Sequence, residues 1–215
     1  MNLRLLLFGS LLVLGLAAWP VHRAFAQDAS PTTSATVGQP APNFTLTGND
    51  GKKHSLADYK GKYVVLEWTN PNCPFVKKFY NSNTMQGLQK KETAHGVAWL
   101  RINSGAPGHD GYQTVSDLDS YIASHHVNAT KSLLDPTGKV GHMYGARNTP
   151  QMFVIDPKGV LIYAGGIDDK PSPDPADISS AKNYVVTALN EARAGQPVAT
   201  PSAPPYGCSI KYASE

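Results

Sequence analysis

The sequence is poor in cysteine, with Cys73 and Cys208 as the only two among 215 residues. Two thiols cannot hold together a disulfide-dense small domain, and they cannot supply an all-cysteine zinc or iron–sulfur site. Seven histidines are present, but none stands at metal-ligand spacing from a cysteine or carboxylate. We therefore expect no metal ion and no cofactor. Composition alone leaves open whether the thiols carry out chemistry or form a structural disulfide.

The sequence also lacks an excess of charge of one sign. Its 19 basic and 16 acidic residues give a formal net charge of +3, and the basic residues form no tracts. Proteins that bind nucleic acid or anionic membranes through electrostatics usually carry a larger and more segregated charge. We therefore expect no nucleic-acid partner.

Long apolar runs are absent except at the N-terminus. Residues 5–19 are apolar, follow Arg4, and lead to an A-x-A motif that ends before Gln27. The run is shorter than the roughly 20 residues needed to span a bilayer. This pattern predicts a secretory signal peptide at residues 1–26, and therefore a periplasmic or secreted protein with no membrane contact after cleavage. An uncleaved anchor is the alternative.

Composition divides the mature chain into three parts. Residues 27–38 are rich in Ser, Thr and Ala, which predicts a disordered leader. Residues 39–195 carry the periodic patterns of one domain, and residues 196–215 form a Pro-rich tail that contains Cys208. About 14 residues separate Cys208 from the last predicted helix, and at roughly 3.3 Å per extended residue they reach about 45 Å. The tail is therefore long enough to return to the domain.

The domain pattern predicts an α/β fold, with a central mixed β-sheet flanked by helices. Residues 63–68 and 97–102 are continuous runs of β-formers, as expected for strands covered on both faces. Residues 151–156 and 160–164 form a predicted hairpin around an Asp-Pro-Lys-Gly turn. Helical patterns occupy four stretches, residues 74–80, 115–122, 139–144 and 180–194.

Cys73 lies directly after a predicted central strand and directly before a helix that begins with Pro74. A thiol at a helix start faces unpaired backbone N–H groups and the positive end of the helix dipole, which lower its pKa. Glu67 stands six residues earlier, inside the apolar strand. If buried, its raised pKa would suit it to shuttle a thiol proton. The alternative is an edge-strand Glu67 in a surface salt bridge.

These features, together with Thr149-Pro150 before the predicted hairpin, resemble the thioredoxin-like redoxins. This superfamily includes the alkyl hydroperoxide reductase and thiol-specific antioxidant proteins. The resemblance covers roughly residues 38–194 and implies a thioredoxin-like fold. It also implies that Pro150 is cis and lies against the reactive Cys73, and that Glu67 takes the place of the buried acid.

The resemblance further implies which residues form the site. Cys73, Glu67, Pro150 and Cys208 are the expected catalytic residues. Substrate contacts are expected from three neighbours of these residues, namely Trp68, Pro74 and Thr149.

Departures from the family patterns leave the reaction open. Thioredoxins carry a second cysteine three residues after the first, where this chain has Val76. Peroxiredoxins carry Pro-x-x-x-Thr-x-x-Cys, and here Leu66 and Asn70 occupy the Pro and Thr positions. Copper-chaperone relatives need a cysteine where Lys77 stands. The substrate could therefore be a disulfide or a peroxide.

Two classes of function follow. In the first, the protein is an exported, antioxidant thiol oxidoreductase in which the Cys73 thiolate attacks the substrate and Cys208 resolves the product. Its partners are then an external thiol reductant and either a disulfide-bearing protein or a peroxide. In the second, the chain is a noncatalytic binding module on a thioredoxin-like scaffold, and Cys73 and Cys208 form a structural disulfide.

Overall fold

The computed structural model describes Met1 and residues 34–213. Apart from Met1, the predicted signal peptide at residues 1–26 lies outside the described residues, as do residues 27–33 of the predicted leader. Residues 34–38 correct the leader prediction, because they are hydrogen-bonded to the domain. The Ala35 N–H donates to the Met143 carbonyl at 2.9 Å, and the Gly38 N–H donates to the Leu161 carbonyl at 2.8 Å. The predicted disorder is therefore wrong for this end of the leader.

The described chain contains nine strands in two sheets. They are β1 (Thr45–Gly48), β2 (Lys53–Ser55), β3 (Val64–Trp68), β4 (Ala98–Asn103), β5 (Lys131–Leu134), β6 (Asn148–Thr149), β7 (Gln151–Ile155), β8 (Leu161–Gly165) and β9 (Cys208–Ser209). Seven of them form the central sheet in the order β2-β1-β5-β4-β3-β7-β8, and β6 pairs with β9. The pairs β3/β4 and β4/β5 are parallel, whereas β3/β7 and β7/β8 are antiparallel. The predicted mixed sheet is thus confirmed.

Five α-helices of the described chain pack on this sheet. They are α1 (Pro74–Asn81), α2 (Thr84–Ala94), α3 (Val115–Ser124), α4 (Lys139–Tyr144) and α5 (Tyr184–Arg193). Short 3₁₀ turns occur at Leu56–Tyr59 and Pro175–Ser180. Within the described residues, no helix combines the length and apolarity that crossing a membrane would require.

The central sheet separates two hydrophobic cores, and side chains along the buried strand β3 point alternately into one and the other. Leu66 and Trp68 point to one face, where α4 packs, and Val65 points to the other face, where α1, α2, α3 and α5 pack. All five residues of β3 are buried, as its continuous apolar run predicts. The helices thus lie on both faces of the mixed sheet, as the sequence predicts.

Helix α2 and strand β5 were not predicted from sequence, for a physical reason. The buried side of α2 is formed by one Met and three polar residues, Gln86, Gln89 and Glu92, so the helix carries no apolar stripe. Strand β5 has four residues, of which Ser132 and Leu133 are buried. Both elements are held by their neighbours and give weak local signals.

The tail beyond Arg193 runs back over the domain, as its length allows. The Ala164 N–H of β8 donates to the Pro201 carbonyl at 3.1 Å, and the Ala203 N–H donates back to the Ala164 carbonyl at 3.4 Å. The tail then forms β9 beside β6. Its path brings Cys208 to the end of the sheet where β3 runs into α1.

Candidate active site

Cys73 is held by the turn between β3 and α1. Its N–H donates to the Asn70 carbonyl at 3.2 Å, and its own carbonyl accepts the Val76 N–H at 3.0 Å. Cys73 is the residue that caps the N-terminus of α1, and Pro74 is the first helical residue. Pro is favoured there because its missing N–H would have no helical partner. The thiol consequently sits at the positive end of α1.

The short sheet of β6 and β9 brings the second cysteine to the first. The Thr149–Pro150 peptide bond is cis, as the family resemblance implies. In the antiparallel pair, Thr149 stands opposite Cys208 and Asn148 stands opposite Ser209. The Cys73 Sγ lies 3.0 Å from the Thr149 carbonyl oxygen, to which the thiol can donate. The residue that contacts Cys73 is therefore the same residue that pairs with Cys208.

The Cys73 and Cys208 side chains are free thiols, and Thr149 lies between them, contacting the Cys73 Sγ and pairing with Cys208. Cys73 is 2% exposed, and burial by itself would raise its pKa. Hydrogen bonds from the Cys208 side chain, the Thr149 side chain and the backbone N–H groups of Cys208 and Val76 outweigh burial, so the Cys73 pKa is lowered. The surroundings of Cys73 therefore favour its thiolate form.

The pKa of Cys208 is shifted in the opposite direction, upward. Burial raises its pKa, and the hydrogen bond to Cys73 and the negative charges of Cys73 and Asp110 raise it further, to about 12, against a small opposing effect of Lys211. Cys208 therefore stays protonated and can donate its S–H to the Cys73 thiolate. The two thiols thus differ in acidity, with Cys73 the more acidic of the two.

Sequence reasoning missed two polar residues beside this pair. The Asn72 Nδ2 donates to the Asp110 Oδ1 at 2.7 Å, and this bond ties the turn before Cys73 to the loop between β4 and α3. Asp110 thereby contributes negative charge near Cys208. The signals in the sequence were faint: Asn72 precedes the cysteine, and Asp110 lies in a loop with glycines at 105, 108 and 111.

Glu67 is fully buried rather than part of a surface salt bridge. Its carboxylate accepts hydrogen bonds from the Tyr80 hydroxyl at 2.7 Å, the Trp99 Nε1 at 2.7 Å and the Gln89 Nε2 at 3.0 Å. Burial raises the Glu67 pKa, against the opposing charge of Arg101 and these three hydrogen bonds. Among the described residues, the partners of the carboxylate do not include Cys73. The structure thus confirms its burial and gives it contacts other than the predicted one with the thiol.

Arg101 completes the polar cluster around Glu67. Its Nε lies 3.8 Å from the Glu67 Oε1, and its guanidinium packs between the rings of Tyr80 and Tyr121, at 5.1 and 4.8 Å from their centroids. Arg101 is 1% exposed. A buried charge pair of this kind is costly unless hydrogen bonds surround it. Here the Glu67 carboxylate has three donors, whereas the guanidinium makes one hydrogen bond, from Nη1 to the Ser132 hydroxyl at 3.1 Å, and otherwise packs on the two rings.

Trp68 lies in the core, and its predicted contact with substrate is corrected. It has no exposed surface, and it packs against Tyr144 and Phe153 with ring centroids at 5.5 and 5.1 Å. Its Nε1 donates to the Ser104 hydroxyl at 3.0 Å. A fully buried indole on the face of the sheet away from Cys73 cannot reach a substrate at the thiol.

The structure therefore gathers five of the seven predicted site residues. Cys73, Pro74, Thr149, Pro150 and Cys208 meet at the start of α1, where the Pro74 side chain is exposed. Within the described range, no three His, Cys, Asp or Glu side chains form a group that could hold a metal ion. The arrangement can form a thiolate, receive an electrophile at sulfur, and present a second thiol to the product.

Comparison with known proteins agrees with this geometry. The chain is 28% identical over 158 residues to the thiol-disulfide oxidoreductase ResA of Geobacillus thermodenitrificans, covering 73% of this chain and 83% of that protein. It is 29% identical over 150 residues to the mitochondrial thioredoxin-dependent peroxide reductase of Drosophila melanogaster, covering 61% of this chain and 59% of that one.

A solved structure matches the fold of this chain. An uncharacterised conserved protein of Geobacillus kaustophilus superimposes with a TM-score of 0.74 at 25% identity, covering 86% of this chain and 97% of that one. The model of the AhpC/TSA family matches residues 37–164, a range that begins before β1, includes the Cys73 turn and the cis peptide, and ends within β8. With its fold, cysteine turn and family match in agreement, this chain belongs to the AhpC/TSA family of thioredoxin-like redoxins.

Proposed function

We propose that this protein is an exported thiol oxidoreductase in which Cys73 is the nucleophile and Cys208 the resolving thiol. One observation carries the proposal: two free thiols converge on Thr149, whose carbonyl oxygen contacts the Cys73 Sγ and which pairs with Cys208 across the β6–β9 sheet. The opposite shifts of the two pKa values support it. A structural disulfide would need no such asymmetry. The family and the oxidoreductase relatives support the same reaction class.

With a disulfide substrate, the Cys73 thiolate attacks one sulfur of the substrate. A mixed disulfide forms between Cys73 and that sulfur, and the other substrate sulfur leaves as a thiolate. Cys208 then loses its proton and attacks the Cys73 sulfur, which expels the second substrate thiolate. The substrate has gained two electrons, and the protein is left with a Cys73–Cys208 disulfide. An external dithiol reductant returns both thiols to the reduced state.

With a peroxide substrate, the Cys73 thiolate attacks one peroxide oxygen and breaks the O–O bond. Cys73 becomes a sulfenic acid, and the other oxygen leaves as hydroxide or alkoxide, which takes up a proton. The Cys208 thiol then condenses with the sulfenic acid and releases water. The same Cys73–Cys208 disulfide results, so both substrates converge on one oxidised form and one reductant.

Export belongs to the same proposal and rests on the sequence of residues 1–26. An oxidising compartment such as the periplasm permits a cycling disulfide, provided that a reductant is supplied there. Cell fractionation, together with N-terminal sequencing of the purified protein, tests this part. A mature N-terminus at Gln27 in the exported fraction supports it, and an intact Met1 in the cytosolic fraction contradicts it.

Mass spectrometry of the reduced full chain tests the chemistry. One equivalent of hydrogen peroxide or of a small disulfide is added, and the two cysteine-containing peptides are followed with time. We expect a Cys73–Cys208 disulfide with at least one of the two oxidants. In Cys208→Ser the reaction should stop at a Cys73 sulfenic acid or a Cys73 mixed disulfide.

The Cys73→Ser variant supplies the matched control, since it retains Cys208. Its remaining thiol should react slowly, because burial still raises the Cys208 pKa in this variant and a hydroxyl cannot replace the Cys73 nucleophile. Equal reactivity of the two thiols, or full turnover by Cys73→Ser, would contradict the assigned roles. The relative rates with the two oxidants decide between a disulfide and a peroxide as substrate.

A further inference from the structure

The geometry points to a second role for the C-terminal tail, that of a size filter over Cys73. The inference rests on the proposed function of Cys73 as nucleophile. We propose that Tyr206 and Tyr212 are specificity-determining residues which hold the tail in a strand position beside Cys73. A small oxidant then needs only a small local opening beside the thiol, whereas a polypeptide disulfide has to displace the whole tail.

The tail occupies the position that an extended polypeptide substrate would need. Strand β6 consists of Asn148 and Thr149, and its only partner among the described strands is β9 of the tail. The Asn148 Nδ2 donates to the Gly207 carbonyl at 2.9 Å, and the Ile210 N–H donates to the Arg147 carbonyl at 2.9 Å. Free strand edges bind extended chains through backbone hydrogen bonds like that between Ile210 and Arg147. Here the protein's own chain already makes them.

Tyr206 anchors the tail on the side before Cys208. Its hydroxyl donates to the Asp168 carboxylate, and its ring lies 5.9 Å from the ring of Phe75 in the first turn of α1. Asp168 is 4% exposed, so this hydrogen bond is shielded from water. The contact therefore joins the tail to the helix that begins at Cys73.

Tyr212 anchors the tail on the side after Cys208. Its hydroxyl donates to the Ala146 carbonyl at 2.7 Å, and its ring stacks on His142 with centroids 4.0 Å apart. The ring lies over two glycines of the α4 segment. A methyl group at Gly141 would stand 2.2 Å from the Tyr212 oxygen, and one at Gly138 would stand 2.4 Å from the ring. These glycines leave the space that the tyrosine fills.

Between the anchors, the tail lies directly on the site. A Cβ at Gly207 would stand 2.1 Å from the Thr149 carbonyl oxygen and 3.3 Å from the Phe75 Cβ. So close an approach leaves no room for a second polypeptide between the tail and the Cys73 turn. With the tail in place Cys73 is 2% exposed. Access for a large reagent therefore depends on release of the tail, which the tyrosine anchors resist.

Alkylation of Cys73 by two maleimides tests the filter. The full chain carries Cys208→Ser, so that one thiol remains, and reacts with N-ethylmaleimide or with a maleimide on a polyethylene glycol chain of several kilodaltons. Gly141→Ala displaces Tyr212 and keeps a good helix former in α4. Loss of one net hydrogen bond raises the undocked fraction about fivefold. We expect the rate with the large reagent to rise by that factor, and the rate with the small one to change less than about twofold.

Gly87→Ala is the matched control, because Gly87 is also helical and a methyl group there meets nothing within 4 Å. Its rates should equal those of the parent chain. Tyr206→Phe removes only the hydroxyl that binds Asp168, keeps the ring on Phe75, and tests the filter independently of α4. It should raise the rate with the large reagent as Gly141→Ala does.

The outcomes separate the filter from the proposed function. A selective rise for the large reagent in both anchor variants supports the filter. Parallel changes for the two reagents, or no change for either, overturn it and leave Cys73 as a reactive nucleophile. If Cys73 reacts with neither reagent in any variant, the proposed function fails and the filter fails with it.

Discussion

Two buried tryptophans on neighbouring strands allow the hydrogen bonds of Glu67 to be measured. Trp99 in β4 donates its Nε1–H to the Glu67 carboxylate at 2.7 Å, and Trp68 in β3 donates its Nε1–H to the Ser104 hydroxyl at 3.0 Å. Neither indole has exposed surface. The perturbation is Trp99→Phe, and Trp68→Phe is its control.

The expected magnitude follows from the difference between the two acceptors. Each substitution loses the same indole volume, so the packing cost is similar in both variants. A hydrogen bond to a charged group contributes about 1.5–3 kcal/mol and one between neutral groups about 0.5–1.5 kcal/mol. Trp99→Phe should therefore lower the free energy of unfolding by about 1–1.5 kcal/mol more than Trp68→Phe does.

The difference should depend on pH with a definite sign. Burial raises the Glu67 pKa in the folded state above its unfolded value, and the Trp99 donor counteracts part of that shift. Stability from a carboxyl with a raised pKa is fully present below the unfolded pKa and is lost as pH rises through the folded pKa. Because Trp99→Phe raises the folded pKa further, its extra cost should be absent in acid, where Glu67 is neutral in both states, and should grow with pH.

Urea unfolding of reduced protein, followed by far-ultraviolet circular dichroism across this pH range, measures both variants. The midpoint and the slope together give each free energy of unfolding. Equal losses for the two variants at neutral pH would refute a carboxylate acceptor at Glu67. A cost of Trp99→Phe that is independent of pH would refute the assignment of the charge to that residue.

Two further predictions concern the tail and the resolving thiol. Gly207→Ala should loosen the tail, because Gly207 has a φ of +106° and a Cβ there would stand 2.1 Å from the Thr149 oxygen. Gly195→Ala is the control, because Gly195 also has a positive φ, +70°, but faces open space. Hydrogen exchange of the β9 amides should accelerate in the first variant only, and identical exchange in both would contradict the contact. Asp110→Asn removes a negative charge near Cys208 and should lower the Cys208 pKa from about 12. The pH dependence of Cys208 alkylation, followed by mass spectrometry, should therefore shift to lower pH. An unshifted profile would show that Asp110 has no effect on the thiol.

Much of the fold could be predicted from sequence because its central strands are uniformly buried and mostly apolar. Strands β3, β4 and β7 are buried on both faces, and their runs of β-formers carry that information locally. Helix α2 could not be predicted in this way. Its buried residues Gln86, Gln89 and Glu92 face polar partners contributed by other elements, among them Glu67 and Arg193. Whether a polar side chain is buried depends on its tertiary contacts, which the sequence of one segment does not show.

The site could be predicted in part for the same reason. The Cys73-Pro74 helix start is a local signal, and the family pattern supplied Thr149 and Pro150. The two wrong expectations, for Trp68 and Glu67, concern the direction in which side chains of β3 point. Alternation places Trp68 on the face away from Cys73, and Glu67 points toward donors on α1, α2 and β4 rather than toward the thiol. Asp110 was not predicted because the effect of a loop carboxylate depends on residues that are distant in sequence, here Cys208.

The pairing of β9 with β6 also links folding to electron transfer. While the tail is docked, Cys208 stays beside Cys73 at an effective concentration far above that of any free thiol. Tail contacts that are equally strong with the thiols reduced or oxidised leave the reduction potential unchanged, whereas a contact that is stronger by about 1.4 kcal/mol in the disulfide form would lower it by about 30 mV. Natural variation in the tail would then tune the potential of the site without changing either cysteine.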